Sequence, residues 1–376
     1  MIPVNYPTDI EKRRDLKLRY VKAIAALTMR NGESRLDWMK RKWWKLRKKM
    51  PHGSHYPKDV RKILKAEYQK LIQYYLHYWQ NGSTHEAELK KIFSYEILHD
   101  AIAEFFMDAN NEFNLSVCHY CGMAYINKYT VYGSEKQGLD FINTASADEL
   151  KQKLHTGNDA LAAKIVNGQP NWTVQSFNAI SNWRAPNKFQ RTFPLRKDYN
   201  HFDLDHVIHK DSCWLTAVSL MNFVPSCSVC NEKLKGTQVL GLGRTPAEEL
   251  SPTSRKFNFD GMVEFMIMPI PGQKIKGRML ANVDKYRLDM NTHGSALYER
   301  FVEMFHLRER YEYHKKEALL WMDLKFRYTD NRIAMMANAL HDPTSFGFQR
   351  IKDDIFQTAM DDENRVFGKL KKDMLK

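Results

Sequence analysis

Residues 202–236 of the chain read FDLDHVIHKDSCWLTAVSLMNFVPSCSVCNEKLKG, and this stretch decides the fold of the surrounding protein. Its first part, 202–208, alternates apolar and polar side chains, which is typical of a strand with one buried face. A second, short β-prone run follows at 222–225, and the segment that begins at Cys227 is suited to open a helix. The stretch therefore predicts the order strand, loop, strand, helix.

Four of the five cysteines form two Cys-x-x-Cys pairs, Cys118 with Cys121 and Cys227 with Cys230. Thiolates at positions i and i+3 can bind Zn²⁺ from one turn, and zinc prefers four tetrahedral ligands. The first residues lack the apolar core of a secretory signal, so we expect zinc binding in a reducing cytoplasm rather than disulfides. Because four cysteines leave no open position, the single zinc ion is predicted to be structural.

Two further residues, Cys213 and His119, are not expected to bind the zinc ion. The fifth cysteine, Cys213, is interpreted as an ordinary buried or half-buried thiol. His119 lies inside the first pair and is interpreted as a surface residue rather than a fifth ligand.

The charge balance favours a polyanionic partner. The 376 residues contain 58 Lys and Arg against 44 Asp and Glu, a net charge of +14, and such an excess attracts phosphates. The segment 40–49, KRKWWKLRKK, predicts nucleic-acid contacts at Lys42, Trp43 and Lys45, with Trp43 or Trp44 stacking on bases. An even alternative is that the tryptophans face the core and the lysines are merely solvated. No apolar run of roughly 18 residues is present, so no membrane association is expected.

The stretch 202–236 resembles the HNH nuclease family, whose pattern is an Asp-His pair, a middle Asn, and a His or Asn in the context Cys-x-x-Cys-Asn-x-x-Lys-Gly. Here the pair is Asp205-His206, the middle residue is Asn222 and the third is Asn231. The resemblance implies an α+β protein with a ββα-metal core and structural zinc, flanked by mainly helical N- and C-terminal regions. Several motif elements in the right order make the signal specific, although they cover only about a tenth of the chain.

The resemblance implies hydrolysis of phosphodiester bonds in DNA with one divalent cation, Mg²⁺ or Mn²⁺. His206 is the candidate general base, because the ordinary pKa of histidine suits neutral pH. Asp205 and Asn231 offer oxygen atoms of the kind that hold a hard cation. Asn222 is expected to brace the loop that carries the Asp-His pair.

The predicted helix after Cys230 adds Lys233 and Lys235 as candidate phosphate contacts, although alone they would form an ordinary solvated helix face. Asp203 is either a neighbour of the site or a solvent-facing strand residue. His209 stands where the family often has Pro.

The expected domains are a helical basic region at 1–110, the zinc-stapled nuclease domain at 111–242, and a mainly helical region at 243–376. The nuclease domain carries an unusually long insertion at 122–204. Either this insertion loops out, or Cys118 and Cys121 do not join the same zinc site as the second pair.

A weaker resemblance lies downstream, where 257–261, 286–291 and Arg300 are similar to HNH proteins of bacterial anti-phage systems of the retron and Septu types. It implies an ATPase partner protein. Other functions stay open: a non-catalytic zinc-dependent nucleic-acid-binding module, an HNH-type RNase, and an effector that is silent until a partner activates it.

Overall fold

Helices dominate the chain, and pairs of antiparallel strands interrupt them. The computed structural model describes residues 1–29, 31–50, 53–81, 85–113, 115–154, 159–180, 188–340, 347–358 and 365–376. This mixture of helices and small sheets confirms the predicted α+β class. Within those ranges every helix is too short or too polar to cross a lipid bilayer.

The chain divides into two units. The first combines residues 1–127 with 202–376, and the second is formed by residues 128–201. The second unit falls inside the predicted insertion at 122–204. The boundaries predicted near residues 111 and 243 both lie within the first unit, and they stay predictions.

The N-terminal part of the first unit is helical because apolar side chains recur at helical spacing. In the first helix Leu16, Tyr20 and Ile24 are buried, and the carboxylate of Asp9 caps its N-terminus by accepting from the Lys12 N–H at 2.8 Å. The helices are α1 (Ile10–Ala26), α2 (Arg35–Arg47), α3 (Val60–Leu64), α4 (Tyr68–Asn81), α5 (Glu86–Ile92) and α6 (Tyr95–Met107).

Burial separates the two neighbouring tryptophans of α2. Trp43 is 0% exposed and packs edge-to-face against Tyr56 and Phe93, while its indole N–H donates to the Pro57 carbonyl at 2.9 Å. The prediction that Trp43 contacts nucleic acid is therefore wrong, because its ring lies in the core. Trp44 is 49% exposed.

The lysines beside these tryptophans remain available. Lys42 and Lys45 are exposed, and they stay predicted nucleic-acid contacts. The Lys48 ammonium lies 3.4 Å from the centre of the Trp44 ring, a cation–π contact at the surface.

The second unit has its own hydrophobic core, built from Ile142, Leu150, Ile165, Phe177 and Phe189. In it β1 pairs with β2. Its elements are β1 (Asn127–Tyr132), α7 (Glu135–Thr144), α8 (Ala147–Leu154), α9 (Asp159–Asn167), α10 (Val174–Asn178), α11 (Lys188–Thr192) and β2 (Arg196–His201).

The remainder of the first unit begins with the hairpin predicted from the sequence. Strand β3 (Asp203–His206) pairs with β4 (Phe223–Ser226), and a π-helical segment, Val229–Lys235, follows. The later elements are β5 (Gly241–Leu242), β6 (Thr245–Pro246), α12 (Phe259–Met262), β7 (Glu264–Pro269), β8 (Tyr286–Asn291), α13 (Ala296–Met304), α14 (Leu307–Glu312), α15 (Lys315–Arg327), α16 (Asp330–Ala339), α17 (Phe348–Phe356) and α18 (Gly368–Leu375).

The substitution Trp43→Ala should lower the free energy of unfolding by roughly 3–5 kcal/mol, because removing a buried aromatic ring leaves a cavity. Trp44→Ala is the matched control on the same helix and should change it by less than about 1 kcal/mol, because that ring is half in solvent. Urea unfolding followed by circular dichroism measures both. Equal losses in the two variants would contradict the core position of Trp43.

Candidate metal centre and active site

The two cysteine pairs meet in the first unit. The sulfur atoms of Cys118, Cys121, Cys227 and Cys230 all lie within 4.8 Å of one another, and all but the half-buried Cys227 are buried. Four thiols at this separation can bind a zinc ion. The long segment 122–204 therefore does not prevent the first pair from joining the second.

A tight turn holds the first pair in place. The Gly122 N–H donates to the Cys118 carbonyl at 2.9 Å, and Gly122 has a φ of +63°, which suits glycine. The His119 N–H reaches the carbonyl of Pro225 in β4 at 3.4 Å, which ties the turn to the hairpin. His119 is 2% exposed, and its Nδ1 lies 2.9 Å from the Ile2 carbonyl oxygen. Its predicted surface position is wrong, because the first residues of the chain cover it.

The four thiols of the cluster do not share negative charge equally. The Arg310 guanidinium donates to the Cys230 Sγ at 3.4 Å. Hydrogen bonding, first with Cys118, lowers the pKa of Cys121 well below its usual value, whereas burial raises the pKa of Cys118 and hydrogen bonding among the thiols raises that of Cys230. Burial also raises the pKa of Cys213, which lies outside the cluster, to about 12. Cys213 is therefore the ordinary buried thiol that the sequence predicts, while the four sulfurs of the cluster lie close enough together to share one cation.

His206 is the last residue of β3, opposite Phe223 of β4. Its Nε2 lies 2.8 Å from the carbonyl oxygen of Ala217. Burial above all, and the nearby Lys235 ammonium, lower the pKa of His206 to about 3, so the ring is neutral at neutral pH. A carbonyl can only accept a hydrogen bond, so Nε2 carries the proton and Nδ1 carries a free lone pair. Among the described residues none hydrogen-bonds to Nδ1.

Rings hold the imidazole of His206 from its sides. Its centroid lies 4.5 Å from that of Tyr95 in α6 and 5.0 Å from that of Phe223. Together with the Ala217 carbonyl, these contacts fix both the tautomer and the plane of the ring.

The carboxylate of Asp205 is buried, and each of its two oxygens accepts a hydrogen bond. Its Oδ2 accepts from the Tyr120 hydroxyl at 2.5 Å, and its Oδ1 accepts from the Lys235 ammonium at 3.0 Å. Lys235 also donates to the His206 carbonyl at 2.8 Å, and its side chain is 0% exposed. The prediction that Lys235 contacts phosphate is therefore wrong, because its buried ammonium is the counter-ion of the Asp205 carboxylate, and the alternative of a solvated helix face is wrong for the same reason.

The helix after the second cysteine pair is wider than an α-helix. Three residues separate Asn231 from Lys235. Val229–Lys235 is π-helical, and a π-helical turn accommodates one extra residue. Asn231 is half-buried and donates to the Asp203 Oδ2 at 3.3 Å, while Lys233 is exposed and stays a predicted phosphate contact.

Asn222 is 0% exposed and spans the loop between β3 and β4. Its Oδ1 accepts from the Ile208 N–H at 2.8 Å, and its Nδ2 donates to the carbonyls of Ile208 and Thr216 at 2.9 and 3.1 Å. The main-chain carbonyl of Asn222 also accepts from Val207 at 2.9 Å. One amide thus links both ends of the loop that begins at His206.

Sequence reasoning missed Tyr120, Tyr95 and the Ala217 carbonyl. Tyr120 stands between two cysteines, and only the meeting of the first cysteine pair with β3 brings its hydroxyl to Asp205. Tyr95 and Ala217 belong to other segments, and no local pattern connects them with His206.

No protein-family model, curated protein or solved structure matches the chain.

Metal analysis of the purified protein should give about one zinc ion per chain, held by the four clustered sulfurs. Cys118→Ser removes a ligand and should abolish stoichiometric zinc. Cys213→Ser, the matched control, changes a buried thiol outside the cluster and should retain it. Zinc content that is insensitive to Cys118→Ser would contradict the site.

Asn222→Asp should lower the free energy of unfolding by about 3 kcal/mol, because a buried carboxylate would face two carbonyl oxygens to which the amide now donates. Asn331→Asp on the exposed surface of α16 is the control and should be nearly neutral. Thermal unfolding at neutral pH measures both, and a neutral Asn222→Asp would show that the amide does not hold the loop.

Proposed function

We propose that the chain is a metal-dependent endonuclease of the HNH type that hydrolyses phosphodiester bonds in DNA. The observation that carries the proposal is the geometry of His206: the Ala217 carbonyl and two flanking aromatic rings fix its imidazole, and no described residue hydrogen-bonds to its Nδ1. A free lone pair can take a proton, but burial lowers the pKa of His206 to about 3, so the ring is a weak base until the charge of a bound phosphate raises that pKa. The succession of β3, β4 and the π-helical segment supports a ββα-metal core around it.

In this proposal His206 transfers the proton and Asn222 supports the loop that follows it. Nδ1 of His206 takes a proton from water as its oxygen attacks phosphorus, and the bond to the 3′ oxygen breaks. The proton on Nε2 stays hydrogen-bonded to the Ala217 carbonyl, so the imidazole becomes positively charged without rotating. Asn222 keeps the loop in place while the proton moves.

The oxygen donors near the pair are of the type that a hard divalent cation such as Mg²⁺ or Mn²⁺ prefers, but both oxygens of Asp205 already accept hydrogen bonds, so a cation would have to displace Tyr120 or Lys235 from this carboxylate. Asp205 and Asn231 would hold it, and the Asp203 carboxylate against which the Asn231 amide lies supplies further oxygens. A bound cation would polarise the scissile phosphate and stabilise the departing oxygen. The four cysteines would hold a single structural Zn²⁺, which keeps Tyr120 against Asp205.

A non-catalytic, zinc-dependent nucleic-acid-binding module is the second candidate. It is favoured by the burial of Asp205, which is 2% exposed and already accepts a hydrogen bond at each oxygen, so that neither oxygen is free for a catalytic cation. An RNase, an ATPase partner and a cytoplasmic role in anti-phage defence stay predictions. The described groups that contact His206 are two aromatic rings and the Ala217 carbonyl, and they make no distinction between deoxyribose and ribose.

Supercoiled plasmid should be nicked or linearised by the wild-type chain with Mg²⁺ or Mn²⁺, and left intact with EDTA. His206→Ala should lower the rate by at least about a hundredfold, because the general base is lost. His209→Ala removes a half-buried histidine three residues away and should leave the rate within a few-fold, so it is the matched control.

Two outcomes would count against the nuclease. Equal rates in wild type and His206→Ala would show that the cleavage comes from a contaminant or from another site. DNA binding without cleavage of either DNA or RNA in any metal would favour the binding module.

A further inference from the structure

A basic cleft of about 390 Å³ lies in the first unit, and the residues that line it are outside the hairpin. Side chains from three segments line it: the first turns of α1, the end of α3 with the residues after it, and the loop before α12. Its basic members are Arg13, Arg14, Lys17, Lys62, Lys65 and Arg255. We call this the basic cleft.

One carboxylate faces these six basic side chains. Burial alone would raise the pKa of Glu67, but hydrogen bonds from Arg13 and Lys17 lower it to about 2, so it is ionised at neutral pH. Arg13 donates to it at 2.8 Å through Nε, and Lys17 at 2.5 Å. Its single negative charge is therefore committed to these two cations and leaves the rest of the basic cleft unneutralised.

The remaining cations lack such a partner. Among the described residues none forms an ion pair with Lys62, Lys65 or Arg255, and Lys62 and Arg255 are exposed. Arg14 only approaches Glu11 at 3.8 Å, with both side chains mostly in solvent. Like charges held together in a concave surface raise the local potential and attract an anion.

The basic cleft is fixed to the hairpin through Met221, the residue before Asn222. The Arg13 guanidinium lies 3.9 Å from the Met221 Sδ. The Thr253 hydroxyl, two residues before Arg255, donates to the Met221 carbonyl at 2.7 Å. Two walls of the basic cleft thus contact the same residue, which gives the positive charges a fixed position relative to the loop that follows His206.

We propose that the basic cleft binds backbone phosphates of DNA and so anchors the duplex beside the candidate active site. The proposal rests on the proposed function only in its choice of DNA as the polyanion. Guanidinium and ammonium groups suit phosphodiester oxygens, and their contacts fix a register without reading bases. The chemistry fits free phosphate compounds as well, so the test includes both.

The test measures DNA affinity by fluorescence anisotropy of a labelled duplex, with the full chain, without Mg²⁺ or Mn²⁺ and over a series of salt concentrations. The cleft variant is Lys62→Ala, Lys65→Ala and Arg255→Ala combined. The control combines Lys274→Ala, Lys276→Ala and Arg278→Ala, which removes the same charges from an exposed loop outside the basic cleft. Calorimetric titrations with pyrophosphate accompany both.

The cleft variant should bind DNA on the order of tenfold more weakly, and the slope of log affinity against log salt should fall by about 0.9 for each phosphate that is no longer neutralised. The DNA affinity and the salt slope of the control variant should fall much less. A charge-conserving variant, which combines Lys62→Arg, Lys65→Arg and Arg255→Lys, should keep most of the wild-type affinity.

Equal losses in the cleft variant and the control would overturn the proposal, since only total charge would then matter. Tight pyrophosphate binding that the cleft variant alone loses, with DNA affinity unchanged, would also overturn it and assign the basic cleft to a small phosphate ligand. Because binding is measured without the catalytic cations, an inactive nuclease would leave the result intact.

Discussion

Four ionisable sulfur atoms must share one buried space, and the first unit is built around this constraint. Cys118 and Cys121 precede the second unit in the chain, and Cys227 and Cys230 follow it. Burying several thiolates is unfavourable unless positive charge or hydrogen-bond donors compensate for the lost water. Arg310, from α14, supplies one such donor. Elements distant in the sequence are therefore drawn to the same centre.

The side chain of Tyr120 links the cysteine turn to the carboxylate of Asp205 in the hairpin. Tyr120 is held between two of the cysteines and bonds to Asp205, whose other oxygen is held by Lys235. Removing one partner of a buried ion pair strongly destabilises the folded protein, because the other charge is left without compensation. Tyr120, Asp205 and Lys235 therefore depend on one another. Lys235 also bonds to the main chain of His206. The position of the candidate base thus depends on the cysteine turn as well as on the strand that carries it.

The sequence predicts the parts of this site that depend on local pattern. Cysteine spacing and the alternation in 202–208 are local, and they are sufficient to predict each cysteine pair and β3, whereas the meeting of the two pairs across the segment 122–204 depends on the tertiary fold. Burial depends on distant segments, which is why the predictions for Trp43 and Lys235 are wrong. Two adjacent tryptophans in a basic helix give no sign of which one faces the core. Lys235 ends a π-helical segment, which the spacing of the residues alone does not indicate.

Burial also changes what the net charge of +14 means. A nucleic acid releases its condensed counterions only where a protein cation neutralises a phosphate. Lys235 is buried against a carboxylate, so it contacts no phosphate and adds little to the attraction for a polyanion. Lys62 and Arg255 lack acidic partners among the described residues, and both are exposed to an approaching phosphate. Under the proposed function, the surface that would attract nucleic acid is therefore defined by the unpaired cations and their spacing, and a count of basic residues includes some, such as Lys235, that cannot take part.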